Sequence, residues 1–354
     1  MVAARPVRRQ ATPVRSFSVL TGTLASSGRR SIYCHIRARL PRREVISLLT
    51  YVYSPSYRVD IGSHVFPTAK YGMLRQRLID DCGVGEDQFV EPDPAAAEDV
   101  LRVHTRRYYE ACRDDTLSID EQMRMELPWS PALYDAAARC VSGSIMAARL
   151  AMEHGAGLHI GGGFHHAFPD HGEGFCVFND PACAVRGLQG AGLIERALVA
   201  DVDLHQGNGT AAIFADDASV ATFSIHQEML YPFPKPPSTV DVGIEPGTDD
   251  AAYLELLDRH LVPLIDSHAP ELLVYVAGAD PYHDDQLGSL GLTIEGLRAR
   301  DAFVCALCRE RDLPMMVVLA GGYARNVEDT VTIHLGTLQE VARLWHPSER
   351  EGAR

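Results

Sequence analysis

ALVADVDLHQGNG, residues 197–209, sets an apolar run directly against acid, imidazole and glycine. Ala197–Val202 is apolar and β-branched, apart from Asp201 near its end. Such a run suits a strand covered on both faces. In an extended chain Asp201, Asp203 and His205 fall at alternate positions, so their side chains share one face. Gly207 and Gly209 then supply a turn. Parallel α/β sheets bind ligands beyond strand ends of this kind.

The same form recurs along the chain. Leu158–Ile160 runs into Gly161-Gly162-Gly163-Phe164-His165-His166, and Val220–Ile225 into His226. Leu272–Ala277 runs into Gly278-Ala279-Asp280, and Met315–Ala320 into Gly321-Gly322-Tyr323. Helical patterns at 131–154, 181–190, 249–268, 293–311 and 326–346 alternate with these runs. In the first, Leu133, Ala137, Val141, Ile145 and Met152 form one stripe and Gly155 suits the stop. Asp180 and Pro181 suit the start of the second. Strand–helix alternation predicts an α/β domain, a parallel sheet between two helical layers. No repeat or low-complexity linker follows residue 45, so 46–347 reads as one domain and 348–354 as a tail. Residues 50–130 are less regular. There Tyr51–Tyr57 is expected to be an early strand, His104–Glu110 to start a helix, and the Pro-rich stretches to be loops.

The net charge of −14 is unevenly placed. Residues 1–43 hold ten Arg and no acid, which leaves about −24 on the remainder, −14 less +10. A body that acidic argues against nucleic acid as a partner. Residues 1–45 lack the continuous apolar core of a secretory signal. They read as a disordered or non-native extension, although an organelle transit peptide has the same composition. No run nears the 18 apolar residues of a membrane span, so no membrane contact and a cytoplasmic location are expected. The eight Cys show no disulfide spacing, and Cys305 and Cys308 fall within a helical pattern, as a buried helix face would place them.

A single Asp at a strand end most often caps a turn. An Asp-x-Asp-x-His followed by glycines, with Asp280 after a second strand, has the donors that zinc takes in catalytic sites. The adjacent His165 and His166 suit acid–base work on a water and a leaving amine. Asp201 and Asn208 are candidate partners that would set the two imidazoles apart. Tyr323 could donate to a developing oxyanion, where the plainer alternative is packing on the sheet.

The strings GGGFHHAFPDHGEGFCVFND, DVDLHQGNGT, AGADPYHDDQLGSL and AGGY resemble the zinc-dependent histone deacetylase family, in its order and spacing. The wording is most similar to class IV members and their bacterial relatives. The resemblance spans roughly 50–345. It implies the arginase–deacetylase fold, one α/β domain with a mainly parallel eight-stranded sheet. It further implies one zinc on Asp203, His205 and Asp280, and His166 as base and acid with His165 as electrostatic helper. Asp201 would bond His165, and Asn208 would take a position that is Asp in class I members, leaving His166 less basic. Tyr323 matches the family's oxyanion donor. Gly174 and Phe175 match a substrate tunnel, with Phe164 or the loop 226–237 opposite and Leu287 near the mouth. A potassium ion would take the side chains of Asp201 and Ser224 and the carbonyls of Asp203, His205 and Ile225.

The implied activity is hydrolysis of an acyl-lysine amide, or that of a similar acylated amine, to free amine and carboxylate. Acetylpolyamines and small acetylated metabolites fit the same site, and an acidic body favours cationic substrates. A non-catalytic acyl-lysine binding module would have no need of Tyr323 and intact ligands. A two-manganese ureohydrolase would want more bridging Asp residues than this chain supplies.

Overall fold

The strands Ala197–Asp201, Leu272–Val276 and Met315–Val318 are buried along their full length. Their side chains alternate between two apolar clusters. Leu273, Tyr275, Met315 and Val317 point to one, and Leu272, Val274, Met316 and Val318 to the other. A period of two with both faces covered is why these strands read as unbroken apolar runs. The computed structural model describes residues 49–345. The basic extension, Cys34 and the tail 348–354 lie outside the described residues.

Eight strands form the sheet: β1 (Tyr51–Val52), β2 (Phe89–Val90), β3 (Ala156–His159), β4 (Ala197–Asp201), β5 (Val220–Gln227), β6 (Val240–Ile244), β7 (Leu272–Val276) and β8 (Met315–Val318). Their spatial order is β2-β1-β3-β8-β7-β4-β5-β6, and every pairing is parallel. The α-helices are α1 (Lys70–Cys82), α2 (Ala97–Val100), α3 (Arg106–Arg113), α4 (Ile119–Met125), α5 (Pro131–His154), α6 (Asp180–Gly190), α7 (Asn208–Phe214), α8 (Asp250–His268), α9 (Ile294–Glu310) and α10 (Val327–Trp345). One sheet face packs on Tyr253, Leu257 and Leu261 of α8, Leu297 and Val304 of α9, and Leu338 of α10. The other packs on Ala147, Ala148 and Ala151 of α5 and Ala184, Val185 and Leu188 of α6. The α/β architecture agrees with the strand–helix alternation of the sequence.

The expected strand at 51–57 is shorter. Only Tyr51–Val52 pairs, and Pro55–Tyr57 is a 3-10 turn with Ser54 Oγ accepting from Ser56 N. Pro55 has no N–H to give a ladder, and Ser54 is a good cap. The helix expected near 104 begins at Arg106, capped by Thr105. Cys305 and Cys308 are both buried in the core on α9. No described helix is long and apolar enough to cross a membrane.

Candidate metal centre and histidine pair

All strands run the same way, so the segments after β3, β4, β7 and β8 emerge at one edge of the sheet. Asp203 and His205 follow β4, and Asp280 follows β7, its hydrogen-bonded neighbour. Their ligand atoms lie within 4.8 Å of one another, and all three residues are buried. Among the described residues this is the one such His/Cys/Asp/Glu cluster. His205 Nδ1 is 3.2 Å from Asp203 Oδ1 and 3.3 Å from Asp280 Oδ2. The other oxygens are held by backbone: Gly321 N donates to Asp203 Oδ2 at 2.9 Å, and Leu204 N to Asp280 Oδ1 at 3.0 Å.

This donor set fits a divalent cation. Apart from His205 Nδ1, whose approach to it lacks hydrogen-bond geometry, no donor among the described residues reaches the buried Asp280 Oδ2. A buried carboxylate oxygen without a partner is costly. The pull on His205 points the same way. Burial would lower its pKa, yet Asp203 and Asp280 raise it to about 10. The site therefore favours positive charge between its carboxylates. Gly321 keeps the space clear, since a Cβ there would come within 2.2 Å of Asp280 Oδ2 and 2.7 Å of Asp203 Oδ2.

His165 and His166 follow β3 after Gly163, whose φ is +87°. A Cβ on Gly163 would sit 2.6 Å from Ala320 N, so the two loops could not approach with any larger residue. Asp180 fixes this turn by accepting from Gly163 N at 3.0 Å and Phe164 N at 2.9 Å. His165 Nδ1 donates to Asp201 Oδ2 at 2.6 Å, and His166 Nδ1 to Asn208 Oδ1 at 2.6 Å. Asn208 is oriented because its amide donates to Glu173 Oε1 at 2.7 Å. The two Nε2 atoms are then 3.1 Å apart. Burial opposes charge on His165, but Asp201 and Asp203 raise it to about 9. Burial, then the positive neighbours His165 and His205, hold His166 well below the usual imidazole range. An imidazolium at His165 can thus donate to a neutral His166.

A narrow pocket of about 20 Å³ opens over this centre, lined by His165, His166, His205, Tyr323 and an aromatic wall of Phe66, Phe164 and Phe175. Phe66 and Phe175 stack at 6.2 Å between centroids, and Tyr323 meets Phe175 edge-on at 5.8 Å. Burial above all, then Asp280 and Asp203, keeps the Tyr323 phenol protonated far above neutral pH. Gly174 lines the pocket, and Phe175, at φ +65°, holds a strained left-handed backbone beside it. Tyr231, in the loop after β5, packs on the His166 ring at 5.1 Å and donates to Glu173 Oε1 at 3.1 Å. Leu287 is half-buried with its N–H on Asp285 Oδ1, and does not line the pocket. Asp201 and Ser224 are cross-strand partners on β4 and β5.

Four contributors escaped sequence reading: Phe66, Lys70, Glu173 and Asp285. Lys70, buried at the start of α1, donates to Ala320 O at 2.7 Å. Asp285 accepts from Tyr323 N at 2.7 Å. Phe66 and Lys70 come from the irregular region, where no pattern marks them. Asp285 sits inside AGADPYHDDQLGSL, where the ligand Asp280 drew the attention.

The family model of the histone deacetylase domain matches residues 64–338. An uncharacterised protein of Picosynechococcus is 40% identical over 284 residues, 80% of this chain and 95% of the relative. Histone deacetylase 2 of Arabidopsis thaliana is 30% identical over 336 residues, 90% of this chain and 86% of the relative. The acetoin utilization protein AcuC of Staphylococcus aureus is 29% identical over 302 residues, 78% of this chain and 77% of the relative.

Proposed function

The chain belongs to the histone deacetylase family and is an amidohydrolase of deacetylase type, and from that premise we propose that it removes acyl groups from acylated lysine or a similar acylated amine, with one zinc on Asp203, His205 and Asp280. The carrying observation is convergence. One pocket gathers the three ligands, a hydrogen-bonded imidazole pair and a protonated phenol. When bound, the divalent cation polarises the amide carbonyl and acidifies water. His166, neutral and oriented by Asn208, removes a proton from the attacking water. Tyr323 donates to the carbonyl oxygen as charge develops on it. His166 then passes that proton to the leaving amine and returns to its neutral form, while the imidazolium at His165, steadied by Asp201, keeps its own proton. The products are a free amine and a carboxylate. The side chains of Asp201 and Ser224, with the carbonyls of Asp203, His205 and Ile225, would hold a potassium ion beside this centre.

The aromatic wall favours a methylene chain in the pocket over a bulky or charged group. A second, apolar cavity of about 30 Å³ shares Phe66, Phe164 and Phe175 and reaches Tyr57, Leu133 and Cys140. That void has room for about one methylene, so an acyl chain longer than acetyl would need the aromatic wall to move. The test is the zinc-loaded chain against acetyl-, butyryl-, octanoyl- and myristoyl-lysine peptides and acetylpolyamines, with released carboxylate measured. At least one acyl-lysine should turn over, and His166→Ala should lower that rate about 10²–10⁴-fold with zinc still bound. No hydrolysis of any substrate by the loaded chain would overturn the proposal.

A further inference from the structure

Arg300 lies on α9, outside the pocket, and is wholly buried. Its Nη1 donates to two backbone carbonyls at once, Gly278 O at 2.8 Å and Val202 O at 3.3 Å. Val202 immediately precedes Asp203, and Gly278 stands two residues before Asp280. A single guanidinium nitrogen thus bridges the stems of both aspartate ligands where they leave β4 and β7.

The guanidinium is itself fixed. Its Nε donates to Asp301 Oδ1 at 2.9 Å, and Nη2 is 2.9 Å from the same oxygen. Asp301 is anchored in turn, by Tyr275 OH at 2.6 Å on Oδ1 and Thr337 Oγ1 at 2.6 Å on Oδ2. Tyr275 belongs to β7 and Thr337 to α10. Tyr253 OH, from α8, adds a bond to Val202 O at 3.3 Å. Two helices thus reach the carbonyls directly, and a third helix and a strand hold Asp301. A fully buried cation is expensive unless paired, and burying an apolar side chain here would serve packing equally well. What an apolar residue cannot do is donate to both stems.

We propose that Arg300, braced by Asp301, is a positioning residue for the metal centre: it sets the spacing of Asp203 and Asp280 and thereby the affinity for the divalent cation. This rests on the metal reading above. Groups that orient metal ligands typically change affinity roughly ten- to a hundredfold when lost.

The experiment is zinc titration of the metal-free full chain against a chelator of known affinity, with melting temperature followed in parallel. The wild-type chain should bind one zinc and Asp280→Asn should bind far more weakly; if either fails, the metal reading itself is wrong. Arg300→Met should weaken zinc binding at least tenfold. Leu297→Ala, a core truncation one turn earlier on α9, should lower the melting temperature while leaving zinc affinity within about twofold. If Arg300→Met does not fold, Arg300→Lys keeps the charge, loses the fork, and should still weaken binding severalfold. Unchanged affinity in the folded Arg300 variant, or an equal loss in Leu297→Ala, would overturn the proposal.

Discussion

At the residue scale the site depends on which protons are held and which are free. Tyr323 stays protonated because burial disfavours phenolate, so it is a donor at neutral pH. Tyr323→Phe should lower kcat by about 10²–10³ and leave KM nearly unchanged, since one donor to the oxyanion is lost; an equal rise in KM would instead mark it as a binding residue. Burial and the positive His165 and His205 keep His166 weakly basic, and the bond to Asn208 opposes them without the charge that a carboxylate would bring. The Asn208 amide must donate to Glu173, which an aspartate could not do. Asn208→Asp alone should place two carboxylates in repulsion and lower activity. Combined with Glu173→Gln it should restore activity and raise the pKa of His166, because a carboxylate at Nδ1 favours the imidazolium. The reaction needs neutral His166, so the acid limb of kcat/KM against pH should move to higher pH in the double variant. An acid limb that stays in place would remove His166 as the base.

At the scale of elements, the fold was legible wherever burial was complete. The runs at 197–202, 272–277 and 315–320 announced strands because both of their faces are covered. The strand at Tyr51–Val52 was read too long, and the pair Phe89–Val90 and the edge strand Val240–Ile244 were not legible. The first two are too short to show a period, and the last is exposed at two of its five positions. The same held for the site. Residues after glycine-rich strand ends could be found by position, whereas Lys70 and Arg300 sit on helices and act on backbone, which no spacing reveals. Lys70 ties the start of α1 to the turn that carries Gly321 and Tyr323. Burial lowers its ammonium to about 8, against the raising pull of Asp280, Asp203 and Asp285. An unfolded lysine titrates near 10.4. The folded chain therefore carries a penalty below about pH 8 that lifts as pH rises toward the unfolded value. Urea denaturation of the metal-free chain should show stability rising across that interval, and the increment should vanish in Lys70→Met. An identical pH profile in the variant would refute the assignment.

At the scale of the molecule, buried Asp201, Asp203 and Asp280 leave the centre short of positive charge without its cation. Chelation should lower the melting temperature by several degrees, and added zinc should restore it. Linkage gives about 4 kcal/mol at free metal a thousandfold above Kd. Calorimetry with and without chelator measures it, and coincident curves would deny the site any cation. The strand order has a further consequence, for how the sheet is completed. β8 is last in sequence yet lies between β3 and β7. Without β8 the sheet divides into two halves, β2-β1-β3 and β7-β4-β5-β6, each with a naked inner border. Such borders template intermolecular pairing. Joining the two half-sheets therefore waits on one late insertion, that of β8.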